Sequence, residues 1–288
     1  MKICIVTTTI ESYENNRLLN AGKELGHDIK IVGLDDVVIE IDSTNTGAYV
    51  NGENLKDYDI VTITIQKKRA LILSNLLQQL GVKIFDNNLT LNKFQLDKIS
   101  DAVTFYKNGL SFPKTVNVAD EEDFRDTCNE IGFPIVVKHS VSSTGKDVFK
   151  LNDLSEVDEF LEKLEEEHRN TSSYILQQNI PFSQSLRIMV INGKIAGAAK
   201  KEMESKKNSA IPVEILTGVE LSSSTQKLAL DAVKSINMHI ASVDILIGED
   251  GKEYLLDVNR TPGFEKLEKV GSADYAKLIL ETAIEKAV

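Results

Sequence analysis

Read for the alternation of hydrophobic and polar positions, the first third of the chain predicts strands and helices in turn. Lys2 to Thr8 is a β-branched run, and polar residues with helical spacing follow from about Ser12 to Leu25, ending at Gly26. Asp28 to Leu34 and Asp59 to Ile65 predict two more strands. A helix over Arg69 to Leu80 closes at Gly81, and Val82 to Phe85 returns as a strand. Strands separated by helices predict a parallel sheet. Thr7-Thr8-Thr9 follows the first strand where a dinucleotide-binding fold would carry glycines, which argues against a Rossmann site.

The middle changes character. Helical spacing runs from Thr90 to Asn108 and stops at Gly109, and Asp120 opens a short acidic helix ending near Gly132. Pro134 to His139 is an apolar strand, followed by the polar turn Ser140 to Gly145 and a strand at Val148 to Leu151. A charged helix from about Ser155 to Arg169 precedes a strand at Ser173 to Gln178. In the last third Asn192-Gly193 and Asp250-Gly251 are strong hairpin signals. Ser223 and Gln226 fit a capping box opening a helix, and a final helix spans about Asp274 to Ala287. The pattern predicts an α/β and α+β protein in three parts, 1–88, 89–180 and 181–288, the first built on a parallel sheet.

Composition narrows the function more than the fold. The 288 residues, 42% hydrophobic and 27% charged, are those of an ordinary globular protein. A net charge of −11 argues against nucleic acid or an anionic membrane as partner, because such surfaces need a basic footprint. Cys4 and Cys128 stand far apart, which supports neither a disulfide framework nor a zinc site and fits a reducing cytoplasm. No segment has the apolar length of a membrane span, and Met1 to Thr9 lacks the features of a secretory leader.

Candidate chemistry gathers on the two hairpins. A two-residue type I′ turn at Asp250-Gly251 pairs Glu249 with Lys252 and sets Asp244 opposite Asp257, with Asn259 on the same face as Asp257. Facing carboxylates repel, and a divalent cation between them removes the conflict; oxygen-only ligands suit magnesium. Strand carboxylates more commonly sit on a solvated outer face, but Val243, Ile245, Leu255, Leu256 and Val258 make these strands largely apolar. The same arithmetic at Asn192-Gly193 puts Arg187 opposite Ala198 and Ser185 opposite Lys200, all on one face. Arg187 and Lys200 together suit an anion. Lys201 falls on the other face, among solvated positions.

Lys138 ends an apolar strand beside Ser140-Val141-Ser142-Ser143-Thr144-Gly145-Lys146, small residues whose backbone N–H groups can approach phosphate oxygens. Lys98 is a second candidate, although an isolated lysine is more often a surface group with an apolar stem. The turn is not a Walker A sequence. The histidines are scattered and form no nucleophile–base constellation, and His139 reads as structural.

Leu96-Asp97-Lys98, Phe133 to Lys138, Tyr174 to Ile180, Ser242 to Leu246 and Leu256-Asp257-Val258-Asn259-Arg260-Thr261-Pro262-Gly263 together resemble ATP-grasp enzymes, most closely the RimK-like amino-acid ligases. The last block is the most specific, being similar to the family's Glu-Val-Asn-x-(Ser/Thr)-Pro-Gly. The resemblance covers about Leu89 to Ala287. It implies an ATP-grasp fold of two subdomains enclosing ATP, preceded by a pre-ATP-grasp domain. Lys98 and Lys138 would meet the ATP phosphates, and Ser142, Ser143, Thr144 and Gly145 would form a mobile loop over them. Gln177, Gln178, Asn179 and Ile180 would be the adenine hinge, with Ser185 near it or the ribose. Asp244, Asp257 and Asn259 would hold one or two Mg2+, with Mn2+ as a substitute. Arg187 and Lys200 would face the transferred phosphate or a substrate carboxylate.

The implied reaction joins an amino acid such as glutamate to a small-molecule or peptide carboxylate through an acyl phosphate. A homo-oligomer is compatible with it. Departures from the family pattern are Asp257 for Glu, Gln178-Asn179 for Glu-Tyr, Ser185 for an acidic residue and Lys200 for Arg. They leave two alternatives open: an ATP-binding protein without ligase activity, and a ligase that modifies a peptide or protein.

Overall fold

A computed structural model of the chain describes residues 1–43, 46–65, 67–86, 97–141, 147–204 and 213–287. The first part runs β1 (Lys2–Thr7), α1 (Tyr13–Glu24), β2 (Asp28–Gly33), β3 (Val38–Ile41), β4 (Thr46–Val50), β5 (Glu53–Asn54), β6 (Ile60–Ile63), α2 (Lys68–Gln79) and β7 (Ile84–Asp86). Strands β2, β1, β6 and β7 form the expected parallel sheet in that order. Its central strand is apolar on both faces because both are covered. Cys4 and Val6 pack with Leu73 and Leu77 of α2, whereas Ile5 packs with Leu18 of α1. Ser12 caps α1, its hydroxyl accepting from the Asn15 N–H at 3.1 Å. The small antiparallel sheet β3-β4-β5 was not expected. Its second turn is Asn51-Gly52, both at positive φ, a hairpin signal of the kind recognised only later in the chain.

The central part comprises α3 (Lys98–Lys107), β8 (Thr115–Val116), α4 (Glu121–Ile131), β9 (Ile135–His139), β10 (Val148–Leu151), α5 (Leu154–Glu166) and β11 (Tyr174–Gln178). Its antiparallel sheet has the order β10-β9-β11-β8. Helices α4 and α5 close one face around Phe124, Val157, Phe160 and Leu176. The rings of Phe124 and Phe160 stack with centroids 5.9 Å apart. Asp120 caps α4 as expected, accepting from the N–H groups of Glu122 and Asp123.

The last part contains β12 (Phe182–Ile191), β13 (Lys194–Glu204), β14 (Val213–Gly218), α6 (Ser223–Ser235), β15 (Ile240–Gly248), β16 (Glu253–Asn259), α7 (Glu265–Val270) and α8 (Tyr275–Lys286). Its sheet order is β14-β13-β12-β15-β16. Helix α6 packs on one face through Ala229, Ala232 and Val233. Helix α8 packs on the other, where the same cluster reaches α1 and joins the first part to the last. The cap of α6 is Ser222, one residue before the expected box. Its hydroxyl accepts from the Thr225 N–H at 3.0 Å, and the Gln226 amide turns to the Leu221 carbonyl instead.

Both hairpins depart from simple turn arithmetic. Asn192 and Gly193 lie at positive φ and pair Ile191 with Lys194, as a type I′ turn requires. A bulge between Met189 and Val190 then shifts the ladder, so Arg187 pairs with Ala199 and Leu186 with Lys200. The expected pairs of Arg187 with Ala198 and Ser185 with Lys200 are therefore wrong by one residue. At the other hairpin the turn itself is longer. The Gly251 N–H donates to the Gly248 carbonyl, and Gly248 pairs with Lys252 rather than Glu249 doing so. Only Gly251 adopts positive φ there, as in a turn closed by a glycine bulge. A second bulge, between Asp244 and Ile245, restores the offset and leaves Asp244 opposite Asp257 as expected.

Phe124→Ala removes the ring at the centre of the α4–α5 core. It should cost about 3–5 kcal/mol in stability, read by urea unfolding, and a loss under about 1 kcal/mol contradicts the packing described.

Candidate active site

Because Arg187 pairs with Ala199, the lysine sharing its face of the sheet is Lys201 and not Lys200. Asp244 lies on the neighbouring strand, directly opposite Arg187. Its Oδ1 accepts from Arg187 Nε at 3.1 Å, and its Oδ2 accepts from Arg187 Nη2 at 3.3 Å and Lys201 Nζ at 2.9 Å. Burial works against the Asp244 charge, but Lys201 and Arg187 outweigh it and hold the carboxyl below its ordinary range. The Lys201 side chain is 18% exposed, so its expected place on a solvated face is overturned. Lys200 points to the α6 face with Leu186, half exposed, and pairs with Glu202 at 2.9 Å.

Across from this cluster lies Lys138 of β9, 8% exposed. Its ammonium donates to Gln177 Oε1 at 2.7 Å, and the Gln177 amide donates to Thr115 Oγ1 at 3.0 Å. Burial lowers the Lys138 pKa from 10.5 to about 8; Asp257 and Asp244 push the other way, and Lys98 and Lys201 add to the lowering. Asp257, Asp244 and Lys201 belong to the C-terminal sheet, Lys98 to α3 and Lys138 to the central sheet, so the two sheets face each other over one cleft with α3 at its side. Lys98, Asp101, Lys138, Gln177 and Asp257 line it.

Lys98 opens α3 behind the Asp97 cap, and its N–H donates to the Ser140 carbonyl at 3.0 Å. That bond ties the helix to the start of the hydroxyl-rich turn. Ser142, Ser143, Thr144 and Gly145 lie outside the described residues. At the expected hinge the Gln178 N–H donates to the Lys114 carbonyl at 2.9 Å, Asn179 is half-buried and Ile180 is buried. The Gln177 side chain is committed to Lys138. Ser185 lies two residues before Arg187, on the same face of β12. The Nδ1 of His139 accepts from the Val141 N–H, a structural role as expected.

Asp244, Asp257 and Asn259 supply two carboxylates and an amide oxygen on adjacent strands, a donor set that fits a hard divalent cation. Asn259 Oδ1 accepts from the Thr261 N–H at 3.0 Å, which fixes its side chain. Among the described residues, no cluster of three or more His, Cys, Asp or Glu side chains forms a metal cage of its own.

Arg260 was missed by sequence reasoning. It is 7% exposed and makes a bidentate pair with the buried Asp101 of α3, one arm at 2.8 Å. Leu255 adds a backbone bond to the Ser111 carbonyl at 2.8 Å. These contacts clamp β16 and the turn after it to the central part. No local pattern sets Arg260 apart in its polar motif, because its partner Asp101 lies 159 residues away.

A model of the RimK-like ATP-grasp domain matches residues 95–283, and a model of the RimK PreATP-grasp domain matches residues 1–86. The chain belongs to the RimK-like ATP-grasp family, and in class it is an ATP-dependent ligase. A probable alpha-L-glutamate ligase 2 of Pseudoalteromonas atlantica is 24% identical over 299 residues, spanning 100% of this chain and 96% of the relative. A probable alpha-L-glutamate ligase of Aliivibrio fischeri is 25% identical over 293 residues, spanning 98% and 94%. Among solved structures, the ATP-grasp ligase PsnB complexed with minimal precursor aligns at TM-score 0.77 and 16% identity, over 98% of each chain. D-alanine–D-alanine ligase from Bacillus anthracis aligns at TM-score 0.70 and 20% identity, over 99% of this chain and 98% of that one. These likenesses show the fold.

Lys138 carries its charge below about pH 8 and loses it above. Mg-ATP affinity, titrated calorimetrically from pH 6.5 to 9.5, should fall as pH rises through about 8. Folding stability runs the other way: between about 8 and the ordinary value of 10.5 the unfolded chain binds more protons at this group, so its contribution rises with pH. A flat affinity profile contradicts the assignment.

Proposed function

We propose that the chain joins a carboxylate to an amine through an acyl phosphate, with an amino acid such as glutamate as one component and a small-molecule or peptide carboxylate as the other. The observation that carries this reading is the cleft in which Lys138 and Lys98 face the Arg187–Asp244–Lys201 cluster and Asp257. Such a site concentrates fixed charge where a phosphoryl group passes between two oxygens. This reaction needs no side-chain nucleophile.

A carboxylate oxygen of the substrate attacks the γ-phosphorus, the bond to the bridging oxygen breaks, and ADP leaves. The amine then attacks the acyl carbon, the carbon–phosphate oxygen bond breaks, and inorganic phosphate and a proton are released. Lys98 and Lys138 hold the phosphates, Gln177 orients Lys138, and residues Gln177 to Ile180 read adenine through their backbone. Arg187 and Lys201 face the transferred phosphate or the substrate carboxylate, so Lys201 takes the part first expected of Lys200. Asp257, Asn259 and Asp244 would hold one or two Mg2+, or Mn2+ in their place, and the bound cation would supply further charge neutralisation at the phosphates.

Glutamate is supported by the names of the relatives, and a peptide component by the precursor complex of PsnB. Cys4 and Cys128, both free and buried, support a cytoplasmic setting.

The test is phosphate release from Mg-ATP with pooled amino acids and pooled carboxylates, comparing wild type with Asp257→Asn, Lys201→Met and Lys200→Met. Release should require one member of each pool and vanish in Asp257→Asn. It should fall on the order of 10²-fold in Lys201→Met and stay within a few-fold in Lys200→Met. Tight ATP binding with no release under any combination would favour a nucleotide-binding protein without turnover.

A further inference from the structure

A cavity of about 350 Å3 opens beside the Asn259 end of β16 and at the carboxyl ends of β1 and β6. That volume is in the range of small-molecule sites, and the carboxyl edge of parallel strands is where open sheets leave a crevice. The turn Arg260 to Gly263, which directly follows Asn259, forms one wall. The cavity and the Asp257–Asn259 end of β16 are thus neighbours through this turn.

The chemistry of the lining is uneven. Ile5, Leu18, Phe85, Ile240, Leu280 and Ala283 form the floor, all buried and all members of one hydrophobic cluster. The exposed Thr64 and Thr261 supply hydroxyls at the rim, while the buried Asn15 and Thr62 in the lining spend their polar hydrogens on the backbone, Asn15 on the Thr9 and Ile10 carbonyls and Thr62 on the Cys4 carbonyl. Two charged side chains line it among the described residues, and both are engaged. Arg260 is bidentate on Asp101. Glu14 accepts from the N–H groups of Phe264 at 3.1 Å and Glu265 at 3.4 Å, and leaves negative charge at the wall. A carboxylate entering this space would lose its water, face Glu14 and find the one cation already matched to an acid.

We propose that this cavity receives the uncharged hydrocarbon body of the carboxylate substrate, aliphatic or aromatic, and excludes a second carboxylate from its interior. The assignment rests on the ligase reading above for which component enters, while the cavity's preference for hydrocarbon rests on its own lining. The substrate's reacting carboxyl group stays at the threonine rim, toward Asp257 and Asn259, with its body against the floor.

The test uses the full chain with Mg2+ and a non-hydrolysable ATP analogue, and ligand-detected NMR titration of butyrate, hexanoate, octanoate and glutarate. Affinity should rise about fourfold per methylene along the monocarboxylates until the cavity fills. Glutarate should bind at least tenfold more weakly than hexanoate. Ala283→Phe, which fills the floor, should abolish the chain-length gain while leaving nucleotide affinity unchanged. Thr64→Lys, at an exposed rim position, should raise glutarate affinity, and it carries the test should Ala283→Phe fail to fold. Glutarate binding as tightly as hexanoate, no gain with chain length, survival of the gain in folded Ala283→Phe, or no binding of any probe overturns the proposal. Octanoate binding without phosphate release from any substrate pool would sink the ligase reading and leave the cavity assignment standing. Phosphate release that is indifferent to Ala283→Phe would do the reverse.

Discussion

Asp244 and Asp257 are held opposite each other on adjacent strands, and this like-charge pair dictates what surrounds it. Like charges directly opposite each other on a strand pair destabilise it unless other groups answer them. Arg187 and Lys201 answer the Asp244 charge from the next two strands. Asp257 is left facing Lys138 across the cleft, where burial and neighbouring lysines already strain the ammonium. The result is a site in which Arg187, Lys201, Lys98 and Lys138 outnumber the two facing acids, a positive excess that suits a polyphosphate arriving with its cation.

That arrangement depends on two sheets meeting at a defined distance. Arg260 and Asp101 fasten the metal-motif turn to α3, and Leu255 bonds to Ser111 on the segment after it. Lys98 in the first turn of the same helix bonds to Ser140, at the edge of the hydroxyl-rich turn. Helix α3 thus links the Ser140 turn to the strand that carries Asp257 and Asn259. The turn from Arg260 to Gly263 reaches the cleft through Asp101 and the cavity through its own wall, so the two spaces share one short segment.

Most helices and strands were legible because hydrophobic period and caps agree, as at Ser12, Asp120 and the Gly26 stop. The facing aspartates were legible too, but through two errors that cancelled. The turn at Asp250-Gly251 is one residue longer than assumed, and the bulge beside Asp244 absorbs the difference. At Asn192-Gly193 the turn was legible and the bulge beside Met189 was not, so Lys200 was placed on the face that Lys201 occupies. Bulges are set by packing of the whole sheet, with Met189 and Ala199 in one cluster and Ile188 and Val190 in the other. No local dipeptide announces them. Arg260 was hidden for a related reason: its partner Asp101 lies 159 residues away.

The account's central claim is that these facing acids and Asn259 form one cation site that works with the nucleotide. Electron paramagnetic resonance of Mn2+ titrated into the protein with ADP tests it without any knowledge of the substrates. Wild type should bind Mn2+ tightly only when ADP is present, Asp257→Asn should lose that binding, and Asp250→Asn at the exposed hairpin tip should keep it. Mn2+ binding that is indifferent to Asp257→Asn, or that does not depend on ADP, would contradict the account.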